Sequence, residues 1–224
     1  MSSNLTAPTI FDFQLAISDF KIHADNQENL IVRFRSIVEP LDLAELFQKP
    51  RPLEVELGCG DASFLVEYAR RNPERNFIGV ERLLGRIRKL DRKGRRAGLA
   101  NLRGARIESS YFLQYLLPPR SAVALHIYFP DPWPKKKHRK HRLIGGNFPA
   151  LARTALASGG AVYLRTDDAD YFQQMTEVFA GSGEFQKVET PEELTELPTD
   201  FEREFRARGV QTLRAAYQKQ QEPM

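Results

Sequence analysis

Leu53-Glu54-Val55-Glu56-Leu57-Gly58-Cys59-Gly60-Asp61-Ala62 reads as a short apolar-rich strand that runs into a glycine turn. Helical spacing follows through about Arg71, so the stretch predicts strand, turn and helix in succession. Gly58 and Gly60 let the backbone turn tightly and let a ligand approach the N-terminus of the helix. The same unit recurs downstream. Asn76–Glu81 is a second strand closing on an acid, and Leu83, Ile87 and Leu90 mark the apolar stripe of a helix whose other faces are Arg and Lys. Leu102–Ile107 is a third strand, followed by Glu108, and Ala122–Phe129 a fourth, with a helix over Leu143–Ala157. After Ser158-Gly159-Gly160, a fifth strand over Ala161–Thr166 ends at Asp167-Asp168, and Asp170–Ala180 is helical. Phe185–Val188 and Thr212–Tyr217 complete seven strands, with a polar loop and Thr199–Arg208 between them. Strands alternating with helices at this spacing predict an α/β fold: a mostly parallel sheet with helices on both faces.

Upstream, residues 10–17 and 30–37 alternate apolar and polar side chains around a turn-like segment at 24–29, which predicts an N-terminal hairpin. Pro40, Pro50 and Pro52 bracket a short helix around Asp42–Phe47. The expected organisation is an N-terminal extension over residues 1–50 and one globular unit over residues 51–224.

Composition narrows the function classes. Hydrophobic residues make up 42% and charged residues 28%, as in an ordinary globular protein with a sizeable core. No apolar run approaches the ~20 residues of a membrane span, and the start Met-Ser-Ser-Asn-Leu lacks the features of a signal peptide. The single cysteine, Cys59, excludes an internal disulfide and a Cys-rich zinc site; with four scattered histidines, no metal constellation forms. A reducing cytoplasm is the simplest expected location. The charge is unevenly placed. Residues 82–106 hold ten Lys/Arg against one acid, Asp91, and residues 135–142 hold six Lys/Arg and no acid, on a chain whose net charge is only +4. Two basic clusters on an otherwise acidic protein are the footprint of nucleic-acid binding.

The second cluster follows the most distinctive stretch, Tyr128-Phe-Pro-Asp-Pro-Trp-Pro-Lys-Lys-Lys-His-Arg-Lys-His-Arg-Leu. Pro130, Pro132 and Pro134 end the strand and fix a stiff turn carrying Asp131 and the only tryptophan, Trp133. A carboxylate at the C-terminal end of a buried strand is where open α/β sheets put their chemistry. Trp133 either stacks on a base or packs the turn, while His23 and His126 read as structural. Glu81 lies 21 residues after Gly60, near the spacing at which an acid meets ribose hydroxyls. That pair fits NAD or S-adenosylmethionine equally. Ser63 stands where the dinucleotide fingerprint wants a third glycine, and Glu56, Glu81 and Glu108 form an acidic row suited to a sulfonium ligand, so the details lean to the methyl donor.

The Tyr128–Leu143 stretch resembles the signature of the tRNA (guanine-N7)-methyltransferase family, bacterial single-subunit type, and the resemblance runs from about Leu41 to Glu202. Leu53–Gly60 resembles its first cofactor motif, Phe77-Ile-Gly-Val-Glu the second, and Asn101-Leu-Arg the approach to the third. Arg165-Thr-Asp and Thr199-Asp-Phe-Glu resemble two later substrate motifs. The resemblance implies a class I S-adenosylmethionine-dependent methyltransferase (Rossmann-like) fold, methylating N7 of a guanine in the variable loop of tRNA at the family's usual position 46. It carries cofactor contacts onto Glu56, Gly58, Gly60, Glu81, Glu108 and Asp131, with Asp131 also catalytic. Substrate contacts fall on Lys135, Asp167, Thr199, Asp200, Phe201 and Glu202, and Lys136, Lys137, Arg139, Lys140 and Arg142 are expected on RNA phosphates. No metal or membrane is implied; protein partners stay open, with the chain a monomer or homodimer. Six residues depart from the family pattern, Ala62, Glu108-Ser109, Asp200, and Glu204-Phe205 in place of Arg-Gly, and the basic N-terminal extension common in the family is weak here. Two other readings fit the same residues: a methyltransferase acting on another RNA or a small molecule, and a nucleic-acid-binding protein with an inactive methyltransferase core.

Overall fold

The alternating apolar positions of the central strands demand cover on both sides, and the chain supplies it. The structure, a computed structural model, describes residues 29–221. After α1 (Leu43–Leu46) come β1 (Leu53–Leu57), α2 (Ser63–Arg71), β2 (Asn76–Val80), α3 (Leu84–Arg96) and β3 (Leu102–Ala105). A short helix, α4 (Ser109–Tyr111), widens into a π-turn over Phe112–Leu116 before β4 (Ala122–Tyr128). A 3-10 segment, Lys136–His141, precedes α5 (Phe148–Ala155), β5 (Leu156–Thr166) and α6 (Ala169–Ala180). The chain ends with β6 (Phe185–Val188), α7 (Glu192–Glu196), α8 (Asp200–Ala207) and β7 (Leu213–Lys219).

The seven strands lie in the order β3-β2-β1-β4-β5-β7-β6, with β7 antiparallel to both neighbours and the rest parallel. Strand order reverses between β1 and β4, the point where open α/β sheets leave a crevice at their carboxyl ends. One face packs Val55, Leu57, Ile127 and Leu164 against Phe112, Phe148, Met175 and Phe179. The other packs Phe77 against Leu65, Ile87 and Leu90 of α2 and α3. These helices sit close to the sheet because Gly79 has no side chain: a Cβ there would lie 2.6–2.9 Å from Leu90, Leu65 and Cys59.

That second face is polar at the centre of the sheet. Glu54 and Glu56 of β1, His126 of β4 and Arg165 of β5 are all buried. His126 has no exposed surface and is held between the Tyr128 hydroxyl at 2.8 Å and Glu54 at 2.7 Å. Burial raises the Glu54 carboxyl, but His126 and Arg75 outweigh it and hold the group below the usual carboxylate range.

Several expectations shift. The proposed hairpin's first arm, residues 10–17, lies outside the described residues. Among the described residues its second arm forms no strand: Ile31 makes a single parallel bridge to Gly104, flanked by hydrogen bonds from Val32 and to Leu30. Leu30, Val32 and Phe47 are buried in the core, so residues 29–50 pack onto the main body. The helix expected over Leu143–Ala157 is shorter, because Leu156 already pairs with Ala122 and begins β5. Ser158-Gly159-Gly160 is therefore not a loop. The register shifts between Ala122 and Ala124, and Gly159 takes a φ of +71° within the strand. The polar loop after β6 contains α7.

Candidate active site

Parallel strands aim their carboxyl ends at one edge of the sheet, and four of them wall a cleft of about 600 Å³ there. Leu57 and Gly58 follow β1, Glu81 and Arg82 follow β2, Ile107 and Glu108 follow β3, and Phe129 to Asp131 follow β4. Trp133, His141, Leu143 and Arg86 complete the lining. The cleft thus lies between the two basic clusters, which the sequence separates by some 30 residues.

The glycine turn is open to a ligand. Gly58 and Gly60 have φ of +76° and +57°, and a Cβ at either would meet no atom within 4 Å. Ala62 shares the left-handed conformation at φ +58° and is the N-cap of α2. Glu56, two residues before the turn on β1, is buried behind the cleft lining, and its Oε2 has no hydrogen-bond partner among the described residues. Burial pushes its carboxyl up to about 8 even though Arg165 pulls the other way. A buried, unpaired carboxyl beside an open glycine turn fits the ammonium of an aminoacyl group. Glu81 is buried too, accepts the Leu83 amide at 2.8 Å and lies 3.6 Å from Arg86, which leaves it able to take hydroxyl donors from the cleft. Glu108 is committed otherwise. Its two oxygens accept the Ser110 and Tyr111 amides and cap α4, so any ligand contact there falls to the neighbouring backbone.

The proline turn holds Asp131 at the rim. Phe129 and Trp133 both adopt left-handed backbones, φ +51° and +44°, an arrangement non-glycine residues adopt at a cost of ~1–3 kcal/mol each. The brace is Arg142. Its guanidinium is buried and donates to the Pro132 carbonyl, Gln174 and Asp170, each at 2.6 Å, while stacking on Tyr171. Arg142, expected on an RNA phosphate, here serves as a strut of the turn. Arg139 is likewise tied to Asp170 at 2.8 Å. Lys135, Lys136, Lys137 and Lys140 are exposed. Asp131 is exposed and makes no hydrogen bond or ion pair among the described residues. Trp133 meets His138 and His141 at 5.7 and 5.3 Å and faces the cleft, so it both packs the turn and offers a ring. Tyr128, the last residue of β4, is buried under the Arg165 guanidinium with its hydroxyl on His126 and offers no ring to the cleft.

The segment at 199–202 stands behind the wall. Thr199 and Glu202 form a reciprocal capping box at the start of α8, and Glu202 is wholly buried. Its carboxylate takes Arg165 at 2.6 Å and also Arg214. Burial works to raise that carboxyl, but the two arginines and the Thr199 amide hold it low. Thr199 and Glu202, expected on the substrate, thus have their polar groups engaged by the protein itself. Asp200 pairs with Arg203, and Phe201 packs on Phe129 at 5.8 Å, so the segment reaches the cleft only through that ring. Asp167 is exposed and, like Lys135, does not line the cleft. Arg165, read only as part of a motif, proves central. An arginine interrupting the apolar strand Ala161–Thr166 was the available signal.

A family model described as a putative methyltransferase matches residues 50–215. Among curated relatives, the tRNA (guanine-N(7)-)-methyltransferase of Thermotoga maritima is 33% identical over 77% of this chain and 56% of its own length. That of Chromohalobacter salexigens is 38% identical over 70% of this chain and 63% of its own. That of Halorhodospira halophila is 36% identical over 76% of each. The chain thus spans between half and two thirds of the first two relatives. Among solved structures, the 16S rRNA methyltransferase KamB superposes with a TM-score of 0.55 at 18% identity, covering 83% of this chain and 95% of that one. Geranyl diphosphate C-methyltransferase from Streptomyces coelicolor, solved with S-adenosyl-L-homocysteine, gives 0.53 at 14% identity over 76% of this chain and 70% of that one. These likenesses establish a class I methyltransferase fold, and the match over residues 50–215 together with the curated relatives makes this chain a member of the tRNA (guanine-N7)-methyltransferase family.

Proposed function

We propose that the protein methylates N7 of a guanine in tRNA, in the variable loop, with S-adenosylmethionine as donor. The observation that carries this is the cleft at the strand-order reversal, lined by Gly58 of the glycine turn and by Glu81, Glu108 and Asp131, with Arg82 and Arg86 of one basic cluster and His141 of the other in its wall. Glu56 would hold the donor's amino group and Glu81 its ribose, with the backbone around Ser109 at the base. When bound, the donor supplies an electrophilic methyl on a sulfonium. N7 of guanine carries an in-plane lone pair and no proton at neutral pH, so no general base is needed. The protein's part is to place N7 in line and to exclude water. Asp131 accepts from N1 and N2 of guanine, a donor pair that adenine does not offer. Trp133 supports the base once it leaves its stack. The reaction belongs in the cytoplasm with its RNA.

The test is to incubate the purified chain with bulk tRNA and labelled donor and then map modified guanines. The expected result is new N7-methylguanine in the variable loop. Unlabelled tRNA, under conditions where the donor binds, would overturn the reading.

A further inference from the structure

We infer that the exposed cationic face of α3 is a docking surface for the body of the tRNA, distinct from the basic run after the proline turn; the inference rests on the RNA reading above. The helix is oriented by its apolar side. Ile87, Leu90 and Gly94 are buried, which turns Arg88, Lys89, Arg92 and Arg96 outward, and all four are exposed. Their partners are what distinguish them. Lys93 is spent on Asp61 and Ser63 and Arg95 on Asp91, whereas Arg88, Lys89, Arg92 and Arg96 have no ion pair or hydrogen bond among the described residues.

Cations three and four residues apart lie within ~5–6 Å of one another along a helix, and like charges at that spacing destabilise it. A polyanion relieves that repulsion. The helix also points the right way. It begins at the cleft, where Arg82 and Arg86 line the wall, and its 13 residues carry the face ~20 Å outward. That is roughly the rise of half a dozen base pairs along a duplex. An RNA whose target base sits in the cleft would therefore continue along α3. The face offers a phosphate backbone many cations and no aromatic anchor, unlike the buried aromatic centre of a protein interface. It also lacks the apolar side that an interfacial membrane helix inserts, since its own apolar side is buried in the core.

The test is the fourfold variant Arg88→Ala, Lys89→Ala, Arg92→Ala and Arg96→Ala, in which alanine preserves helix propensity. An unchanged thermal midpoint and unchanged donor affinity would confirm that fold and cleft are intact. The expected result is a tenfold or greater rise in KM for tRNA near physiological salt, with kcat at saturating tRNA within twofold of parental. The slope of log K against log salt should flatten by about 3. Parental KM and slope in the variant, while the parental protein methylates tRNA, would overturn the docking surface alone. A parental protein that neither binds nor methylates tRNA would overturn both readings. Loss of binding to anionic vesicles with tRNA affinity unchanged would reassign the face to a membrane and overturn the inference.

Discussion

Asp131 and Glu202 are both carboxylates in motifs that suggest contact with substrate, and the fold treats them as opposites. Asp131 stands exposed on a turn whose strain and bracing come from other residues. Glu202 is wholly buried and holds two arginines and its own helix cap. The difference teaches that the cleft is built in two layers. One layer presents groups to a ligand, and the other, centred on Arg165, locks α7 and α8 under the turn. Arg165 donates to the Leu194 and Leu197 carbonyls as well as to Glu202, and Phe201 and Phe205 of α8 rest on Phe129.

The largest effect should come from the buried layer. Glu202→Ala leaves Arg165 buried without its counterion, a defect that costs ~3–5 kcal/mol. Denaturant unfolding should show that loss at neutral pH. The sign with pH follows from the low carboxyl. The group contributes stability above the ordinary glutamate range and loses it as pH falls through its folded value, so the gap between parental and variant should close in acid. A variant as stable as the parent would place Glu202 in the ligand layer after all.

Asp131→Ala should do the reverse. Stability should stay within ~0.5 kcal/mol, as for an exposed residue. Methyl transfer to tRNA should fall about 100-fold, or ~2.7 kcal/mol of transition-state stabilisation. Single-turnover assays at saturating tRNA separate this from weaker binding. Parental turnover would move the guanine contact elsewhere on the wall.

Glu56 belongs to both layers, and pH separates its two roles. In the donor-free protein its proton is retained up to about 8, well above the ordinary glutamate value. The folded state therefore binds a proton that the unfolded chain has lost, and stability falls as pH rises from about 4.5 to 8. Glu56→Gln mimics the neutral form. It should match the parent near pH 4.5 and exceed it by about 1–3 kcal/mol near pH 8.5, the cost of a buried group lacking its partner. The same variant should bind S-adenosylmethionine more weakly by calorimetry. Unaltered donor affinity would remove Glu56 from the cofactor site.

The sheet and the cleft wall were legible because their signals are local. Strand-end acids, a glycine turn and a proline-rich stretch each declare themselves within a few residues. The buried layer was not legible, because its logic is long-range: Glu202 meets Arg165 across 37 residues and Glu54 meets His126 across 72. Even so, Leu53-Glu54-Val55-Glu56-Leu57 alternates strictly, as do Leu125-His126-Ile127-Tyr128 and Val162-Tyr163-Leu164-Arg165. Alternation in three adjacent buried strands marks a polar face needing its own cover. The N-terminal segment shows the limit of a local signal: residues 30–37 alternate, yet among the described residues they make one bridge, to β3, and the arm expected to pair with them lies outside the described residues.

The smallest effect concerns the basic run, where the two layers meet within eight residues. Arg139 and Arg142 face inward to Asp170, and the low carboxyl of Asp170, held down first by its hydrogen bond to Arg142, reflects that tie. Lys136, Lys137 and Lys140 are exposed and without ion pairs among the described residues. Phosphate contacts position an RNA and release counterions, so only the outward lysines should shape the salt dependence. Replacing all three with Ala should weaken tRNA binding severalfold and flatten the slope of log K against log salt by about 2–3. Donor affinity and stability should be unchanged. Arg142→Ala should leave the slope near parental and lower kcat instead, because the Pro132 carbonyl loses its donor and the turn that holds Asp131 loosens. Filter binding at four or five salt concentrations reads both variants side by side. Equal flattening would mean that Arg142 also reaches the RNA, and the division of this run into inward braces and outward contacts would be withdrawn.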